Sequence, residues 1–312
     1  FLVVFFRCWE PSTIFLLARL NFRLLNVVRF YQARVWGVRR FLSKWFTRPL
    51  SALNALDAGP AIICGPGVLQ FFDRSSASTM RLDVCVGFSG LAEVGRFLAS
   101  EGYQFRSGPS TSRVRDFALL SILESVYFPE RQLDVSGDRS MTQDDHGGRR
   151  FRFIKASRAA PLRVVLVHLV RCELHRFVFS THSTSLVNFI TSTHAVSVFP
   201  RSTFLKRKSF VGSQERTSRV DPVTKAEGAW LQRYRADLGG LQVIGSAINV
   251  DGDAEIGLRW VGDAQCWILP VQPDDNPLQI SRPSSGPAFE VLDWTAGVTR
   301  HGSYLRIGEP FV

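Results

Sequence analysis

The sequence predicts a mixed α/β (α+β) fold: short N-terminal helices, a mixed sheet core flanked by helices, and a small β-leaning C-terminal appendage. Three observations predict it. Apolar residues recur at helical spacing between Leu16 and Phe46. Strand-like and helix-like patterns alternate from Ala61 to Tyr103. Short β-leaning runs separated by Gly, Asp and Pro follow Gly240. The corresponding regions are 1–50, 51–212 and 213–312. A hydrophobic content of 45% and an aromatic content of 12% suit a packed globular chain rather than a disordered one.

In the first region, Pro11-Ser12-Thr13 supplies hydroxyls able to cap free amides at a helix start. Leu16, Leu20, Leu24 and Val28 then repeat every four residues, widened by Leu17, Val27 and Tyr31. Arg19, Arg23, Asn26 and Arg29 fall on the opposite face. Gly37 breaks the run. A second short helix sets Phe41, Leu42, Trp45 and Phe46 against Arg40 and Lys44, and Pro49 is expected to stop it. Charge is concentrated here: of the formal +11, residues 1–50 hold nine Lys or Arg against Glu10. Such a segment suits a surface for a protein partner. Nucleic acid is the second reading, because arginines interleave with aromatics, and a membrane surface is a third.

The chain opens at Phe1 rather than Met, which predicts an upstream stretch outside this sequence. The run Phe1–Phe6 is cut by Arg7, far short of the ~20 apolar residues of a transmembrane segment, and has no signal-peptide pattern. Cys8, Cys64, Cys85, Cys172 and Cys266 are odd in number, widely spaced and without a CxxC pair. Buried free thiols in a reducing compartment are expected, not disulfides or zinc. The expected location is intracellular, cytoplasmic or nuclear.

Within the second region, Ala61–Cys64 reads as an apolar strand, Gly65-Pro66-Gly67 as a turn and Val68–Arg74 as a helix. Met80–Val86 reads as a strand and Gly90–Tyr103 as an amphipathic helix. Along Met80–Val86, Leu82, Val84 and Val86 face one side and Arg81, Asp83 and Cys85 the other. An apolar strand ending in Gly-x-Gly, then a strand bearing an acid, resembles the opening of polymerase-beta-type nucleotidyltransferase folds. The order Trp9-x-Pro11, Leu17-Ala18-Arg19, Val28–Tyr31, Phe41-Leu42, Phe46-x-x-Pro49 and Gln70-Phe71-Phe72-Asp73-Arg74 is similar to fungal, basidiomycete-type F-box-like proteins. These place a helical F-box-like segment before a nucleotidyltransferase-like domain. The likeness continues in His182-Ser183-Thr184, Asn188–Thr191, Pro200-Arg201-x-Thr203-Phe204 and Gly262-Asp263-x-x-x-Trp267. It implies a Skp1-type adaptor as partner of the first helices.

Chemistry of that type holds two magnesium ions between carboxylates at alternate positions of one strand and a third on a neighbouring strand. Here Asp83 fills the second position, but Arg81 stands at the first and Pro66 replaces the serine after Gly65. On the expected third strand, Arg163–His168, Val165 or Val167 occupies the position of the remaining acid. The expectation is a vestigial nucleotide cleft of Gly65, Gly67, Arg81, Asp83 and His182, with an Arg81–Asp83 ion pair, no catalytic residue, no metal and no cofactor. Mg2+ and nucleotide belong to the alternative, a metal-dependent nucleotidyltransferase with an atypical site. Lys206, Arg207 and Lys208, on an expected edge strand Thr203–Val211, could rim the cleft and meet phosphate. The plainer reading is a solvated edge.

Other patterns point to structure. Ser180-Thr181-His182 and Ser192-Thr193-His194 invite a hydrolase reading, but hydroxyls capping a helix near Ser183 explain them better. His168, His175 and His182 are spaced by seven, yet Val164–Val167 reads as strand, which breaks a metal triad. Asp251–Glu255 reads as a hairpin turn, not a calcium loop. Ser136–Arg150 and Gly212–Gly228 read as loops, Ala229–Tyr234 as helical and Gln272–Pro287 as irregular. Trp260, Trp267 and Trp294 are expected to pack the appendage on the core. The functional expectation is a catalytically degenerate interaction or adaptor protein, with a nucleic-acid binder as a further alternative.

Overall fold

A computed structural model describes residues 20–74, 81–106, 149–156, 162–170, 173–179, 183–210, 241–244, 257–271, 287–291 and 305–307, with residues 13, 14, 17, 117 and 181. Three helices come first: α1 (Phe22–Val35), α2 (Val38–Leu42) and α3 (Pro49–Asp57). Asn21 caps α1, its side-chain oxygen accepting from the Leu24 amide at 2.9 Å. Gly37 separates α1 from α2, as its position in the pattern predicts. Pro49 corrects the expectation: it starts α3, where its missing N–H forfeits no helical bond, and α2 ends at Leu42 without it.

The strand–turn–helix–strand–helix order expected over 61–103 is present as β1 (Ala61–Cys64), α4 (Pro66–Asp73), β2 (Arg81–Val86) and α5 (Phe88–Ser100). Next come β3 (Gln104–Arg106), β4 (Arg149–Lys155), β5 (Arg163–Leu169), α6 (Leu174–Phe179), β6 (Asn188–Ile190) and β7 (His194–Ser197). The remaining strands are β8 (Lys208–Phe210), β9 (Gln242–Ile244), β10 (Gly257–Trp260), β11 (Trp267–Pro270), β12 (Ala288–Val291) and β13 (Leu305–Ile307). Eight strands form one mixed sheet in the order β11-β7-β6-β1-β2-β5-β4-β3. β2 and β5 run parallel, and the other neighbours in this sheet antiparallel. β10-β12-β13 and β8-β9 are small separate sheets.

Alternation on β2 organises both faces of the sheet. Leu82, Val84 and Val86 join Val165, Val167, Phe151 and Phe153 in a large core that also takes residues of the first five helices. Cys85 faces the other way, with Cys64 and Ile62, into a second cluster beneath Phe177, Val178 and Phe179 of α6. The N-terminal helices are built into the first core: Val28, Tyr31, Trp36, Phe41, Leu42, Trp45 and Phe46 are all buried there. Trp36 donates its indole N–H to the Phe72 carbonyl at 2.9 Å and meets Trp267 edge-on at 4.9 Å. Leu20 departs from the expected stripe and is exposed.

A buried acid fastens these helices. The Glu101 carboxylate accepts from the Thr47 amide at 2.7 Å and its hydroxyl at 2.6 Å, and from the Arg48 amide and Nε, each at 3.1 Å. Burial alone would push this carboxyl up, but the hydrogen bonds from Thr47 and Arg48 outweigh it and hold the pKa below the usual glutamate value. Tyr103 adds a bond from its hydroxyl to the Trp45 carbonyl at 2.9 Å.

Toward the C-terminus, β11 pairs with β7 and so lies inside the main sheet. Arg259 of β10 is buried: Nε donates to Asp263 Oδ2 at 2.9 Å and Nη2 to the Val198 carbonyl at 2.9 Å, with the guanidinium between Phe199 and Phe289. Asp263 also receives the amides of Gln265 and Cys266, which accounts structurally for the Gly262-Asp263-x-x-x-Trp267 pattern. Of the three expected tryptophan anchors, Trp267 is buried, Trp260 is 48% exposed, and Trp294 lies outside the described residues. Also outside them are Gly212–Gly228, Ala229–Tyr234, Asp251–Glu255 and nearly all of Ser136–Arg150 and Gln272–Pro287. Among the described residues no helix is long and apolar enough to cross a membrane.

Because Glu101 is depressed in the folded state, its contribution is complete above roughly pH 4.3 and is lost as pH falls through the folded value. Glu101→Ala is expected to cost about 3 kcal/mol at neutral pH. Glu101→Gln should flatten the acid limb of stability, both read by urea denaturation between pH 3 and 7. An unchanged acid limb would refute the latch.

Candidate functional site

Gly65, Gly67, Arg81 and Asp83, the residues expected to form the cleft, lie where β1 ends and β2 and β5 run side by side. β1 stops at Cys64, and Gly65 turns the chain into α4 with φ of +78°. That conformation disfavours any side chain. A Cβ on Gly65 would also lie a tight 3.2 Å from Asp83 Oδ2, so the backbone favours glycine and the neighbour leaves little room for more. Gly67 is buried within the first turn of α4, and Pro66 holds the N1 position without disturbing it.

Asp83 is the centre of the site. Its side chain is 4% exposed, against 49% for Arg81 and 14% for His168. Arg81 Nε donates to Oδ2 at 2.9 Å and Nη2 to Oδ1 at 2.9 Å, so the expected ion pair is present and two-pronged. His168 Nε2 stands 2.8 Å from Oδ1. An ionised carboxylate only accepts, so Nε2 is the donor. Burial would raise the Asp83 pKa, but the bond and charge of His168, and then those of Arg81, outweigh it and hold the carboxyl below its ordinary value.

His168 reaches this position through register. Parallel pairing sets Asp83 opposite Leu166 and Cys85 opposite His168, so Val164, Leu166 and His168 share the Asp83 face. This corrects the expectation for the third carboxylate: Val165 and Val167 point into the opposite core. No acid occupies β5 at either parity. Among the described residues, no group of three or more His, Cys, Asp or Glu is placed to hold a metal ion.

Not every expected member of the site is described. His182 lies outside the described residues. The edge strand expected over Thr203–Val211 is corrected: Arg201–Leu205 winds into a wide helical turn closed by a bond from the Lys206 amide to the Arg201 carbonyl at 3.0 Å. Only Lys208–Phe210 is strand, pairing in parallel with β9. Arg207 donates to Asp73 Oδ1 at 2.5 Å, at the end of α4 remote from Gly65. Eight helical residues span about 12 Å, so this cation belongs to the far end of the helix.

The helix expected near Ser183 is likewise corrected to a single turn, Thr184–Leu186, followed by β6. The Ser183, Ser185 and Ser209 hydroxyls bond one another in the interior. Ser192 bonds Asp57 at 2.8 Å and His194 bonds Thr193 at 3.0 Å, which leaves no serine–histidine pair between them. His175 lies on α6 against Phe189, on a different element from His168. Cys64 and Cys85, distant in sequence, bring their sulfurs within 3.1 Å as free thiols beside Asp83. Cys266 is also free, while Cys8 and Cys172 lie outside the described residues.

Sequence reading missed His168 as the partner of Asp83. The signal was the alternation within Arg163–His168, usable only once the strand's neighbour and direction were known. Comparison with known proteins gave no matching family model, no match among curated proteins and none among solved structures.

The more buried partner should matter more. His168→Ala is expected to cost about 2–3 kcal/mol and Arg81→Ala no more than about 1 kcal/mol, measured by chemical denaturation. Gly65→Ala should cost about 2 kcal/mol through φ strain alone. A reversed order for His168 and Arg81 would contradict the burial argument.

Proposed function

We propose that the chain is a catalytically degenerate nucleotidyltransferase-fold protein acting inside the cell as an interaction or adaptor protein. The observation that carries this reading is the occupation of Asp83. One carboxylate held on both oxygens by Arg81 and further bonded by His168 has no free face for two hard cations, and the neighbouring strand adds a histidine rather than an acid. Apposed free thiols at Cys64 and Cys85 support a reducing compartment.

The partner surface in this reading is the outer side of α1. The buried side of α1 and α2 is occupied by the core, whereas Phe22 and Phe30 are 62% and 54% exposed. Arg34 lies over the Phe30 ring at 5.8 Å. Exposed aromatics rimmed by cations suit a protein partner, and a Skp1-type adaptor is the one that the family resemblance implies.

Calorimetry with ATP and GTP, with and without Mg2+, is expected to show no metal-dependent binding by the parent protein. Metal-dependent nucleotide binding would overturn the degenerate reading. In a pull-down with a purified Skp1-type adaptor, Phe22→Ser/Phe30→Ser should weaken capture at least tenfold with an unchanged melting temperature. Equal capture would remove α1 as the docking surface.

A further inference from the structure

Among the described residues, the second apolar cluster draws on the sheet from β2 to β7, with Ile268 of β11 packed against it. On the α6 side, β5, β4 and β3 carry residues that the second apolar cluster leaves out. Register fixes which residues these are. Arg106 stands directly opposite Arg152, Arg152 opposite Leu166 and Leu166 opposite Asp83; in adjoining rows Arg150 faces His168, and Ile154 faces Val164. Arg106, Arg150, Arg152 and Arg81 are exposed, while Ile154, Val164, Leu166 and His168 are half-buried. Among the described residues that β2, β5, β4 and β3 carry on this face the only acid is Asp83, already engaged, and neither Arg150 nor Arg152 has an ion-pair partner.

Like charges directly opposite on neighbouring strands destabilise a sheet. Arg106 against Arg152, with Arg150 two residues along on the same face, is therefore a local cost that no described ion pair offsets; Arg106 has only a long bond to Gln104 Oε1 at 3.5 Å. The spacings are about 4.8 Å across strands and about 6.6 Å along one, and each guanidinium presents a planar fork that fits a phosphate. The three outer arginines and Arg81 are separated by the apolar strip Ile154, Val164 and Leu166.

We propose that this face binds single-stranded nucleic acid, its phosphates along Arg106, Arg152 and Arg150 and its unpaired bases against the apolar strip toward Arg81. Peptides that add to sheets pair with an edge through their backbone. Here the cations stand on the face, where only side chains make contact. A polymer with a charge on every unit and a flat apolar group between charges meets both parts of the surface. The proposal is independent of whether the Asp83 cleft is degenerate.

The test is fluorescence anisotropy of the full chain with a labelled oligouridylate of about 20 nucleotides, titrated over a range of salt. Arg150→Ala/Arg152→Ala should weaken binding at least tenfold and reduce the salt slope by about 1.4, the value for two phosphates on a single strand. Thermal melting confirms that the variant is folded, and Arg39→Ala/Arg40→Ala, on the opposite side of the sheet, should change the affinity much less. Absence of binding at about 50 mM salt would overturn the proposal. So would loss confined to the Arg39/Arg40 variant, tighter binding of a duplex of equal length, or equal competition by polyglutamate, which would point to an acidic protein instead.

Discussion

A carboxylate that cannot remain buried alone sets the geometry around the middle of the sheet. Removing Asp83 from water is unfavourable unless cations and donors surround it, and each neighbour answers that need. Arg81 reaches back from two residues earlier on the same strand, and His168 comes from the parallel strand at a register that places it on the same face within hydrogen-bond reach. Gly65 leaves room for the carboxylate where any Cβ would crowd it. The opposite face of the same strand carries Leu82, Val84 and Val86 and holds the main core. Polar satisfaction on one side and apolar packing on the other are thus two consequences of one alternation.

Local pattern was the part of this fold legible in the sequence. β1, α4, β2 and α5 follow one another within 40 residues, and their periodicities and glycine turns are self-contained. The break at Gly37 and the burial of Phe41, Leu42, Trp45 and Phe46 are legible for the same reason. What escaped depends on partners remote in sequence. Whether Val165 or Leu166 faces Asp83 is decided by pairing across some 80 residues, and a shift of one residue exchanges the two faces. The β-leaning run at Trp267–Pro270 gives no local sign that it pairs with β7 in the main sheet. The wide turn at Arg201–Leu205 carries apolar and hydroxyl residues that read equally well as strand.

Bulk charge was a poor guide to place. The sequence concentrates cations in residues 1–50, yet the sheet itself separates two basic layers. Arg39, Arg40 and Lys44 are exposed in and just after α2 on one side, and Arg106, Arg150 and Arg152 are exposed on β3 and β4 on the other. Two other arginines serve the fold itself: Arg207 meets Asp73, and the buried Arg259 fills an aromatic slot against Asp263. Counting cations does not distinguish these uses; the partner of each guanidinium does.

The latch at Glu101 bears on how the chain is made. Thr47 and Arg48 find their acceptor about 50 residues later, and Trp36 waits for Phe72 and then for Trp267. At ~5–20 residues per second of synthesis, the first helices leave the ribosome several seconds before Glu101 exists. In that interval their apolar sides have only one another and the residues made before Glu101 to pack on. Full packing of the N-terminal helices therefore waits for partners made later, from Phe72 through Glu101 to Trp267, and not for contacts within residues 22–57 alone.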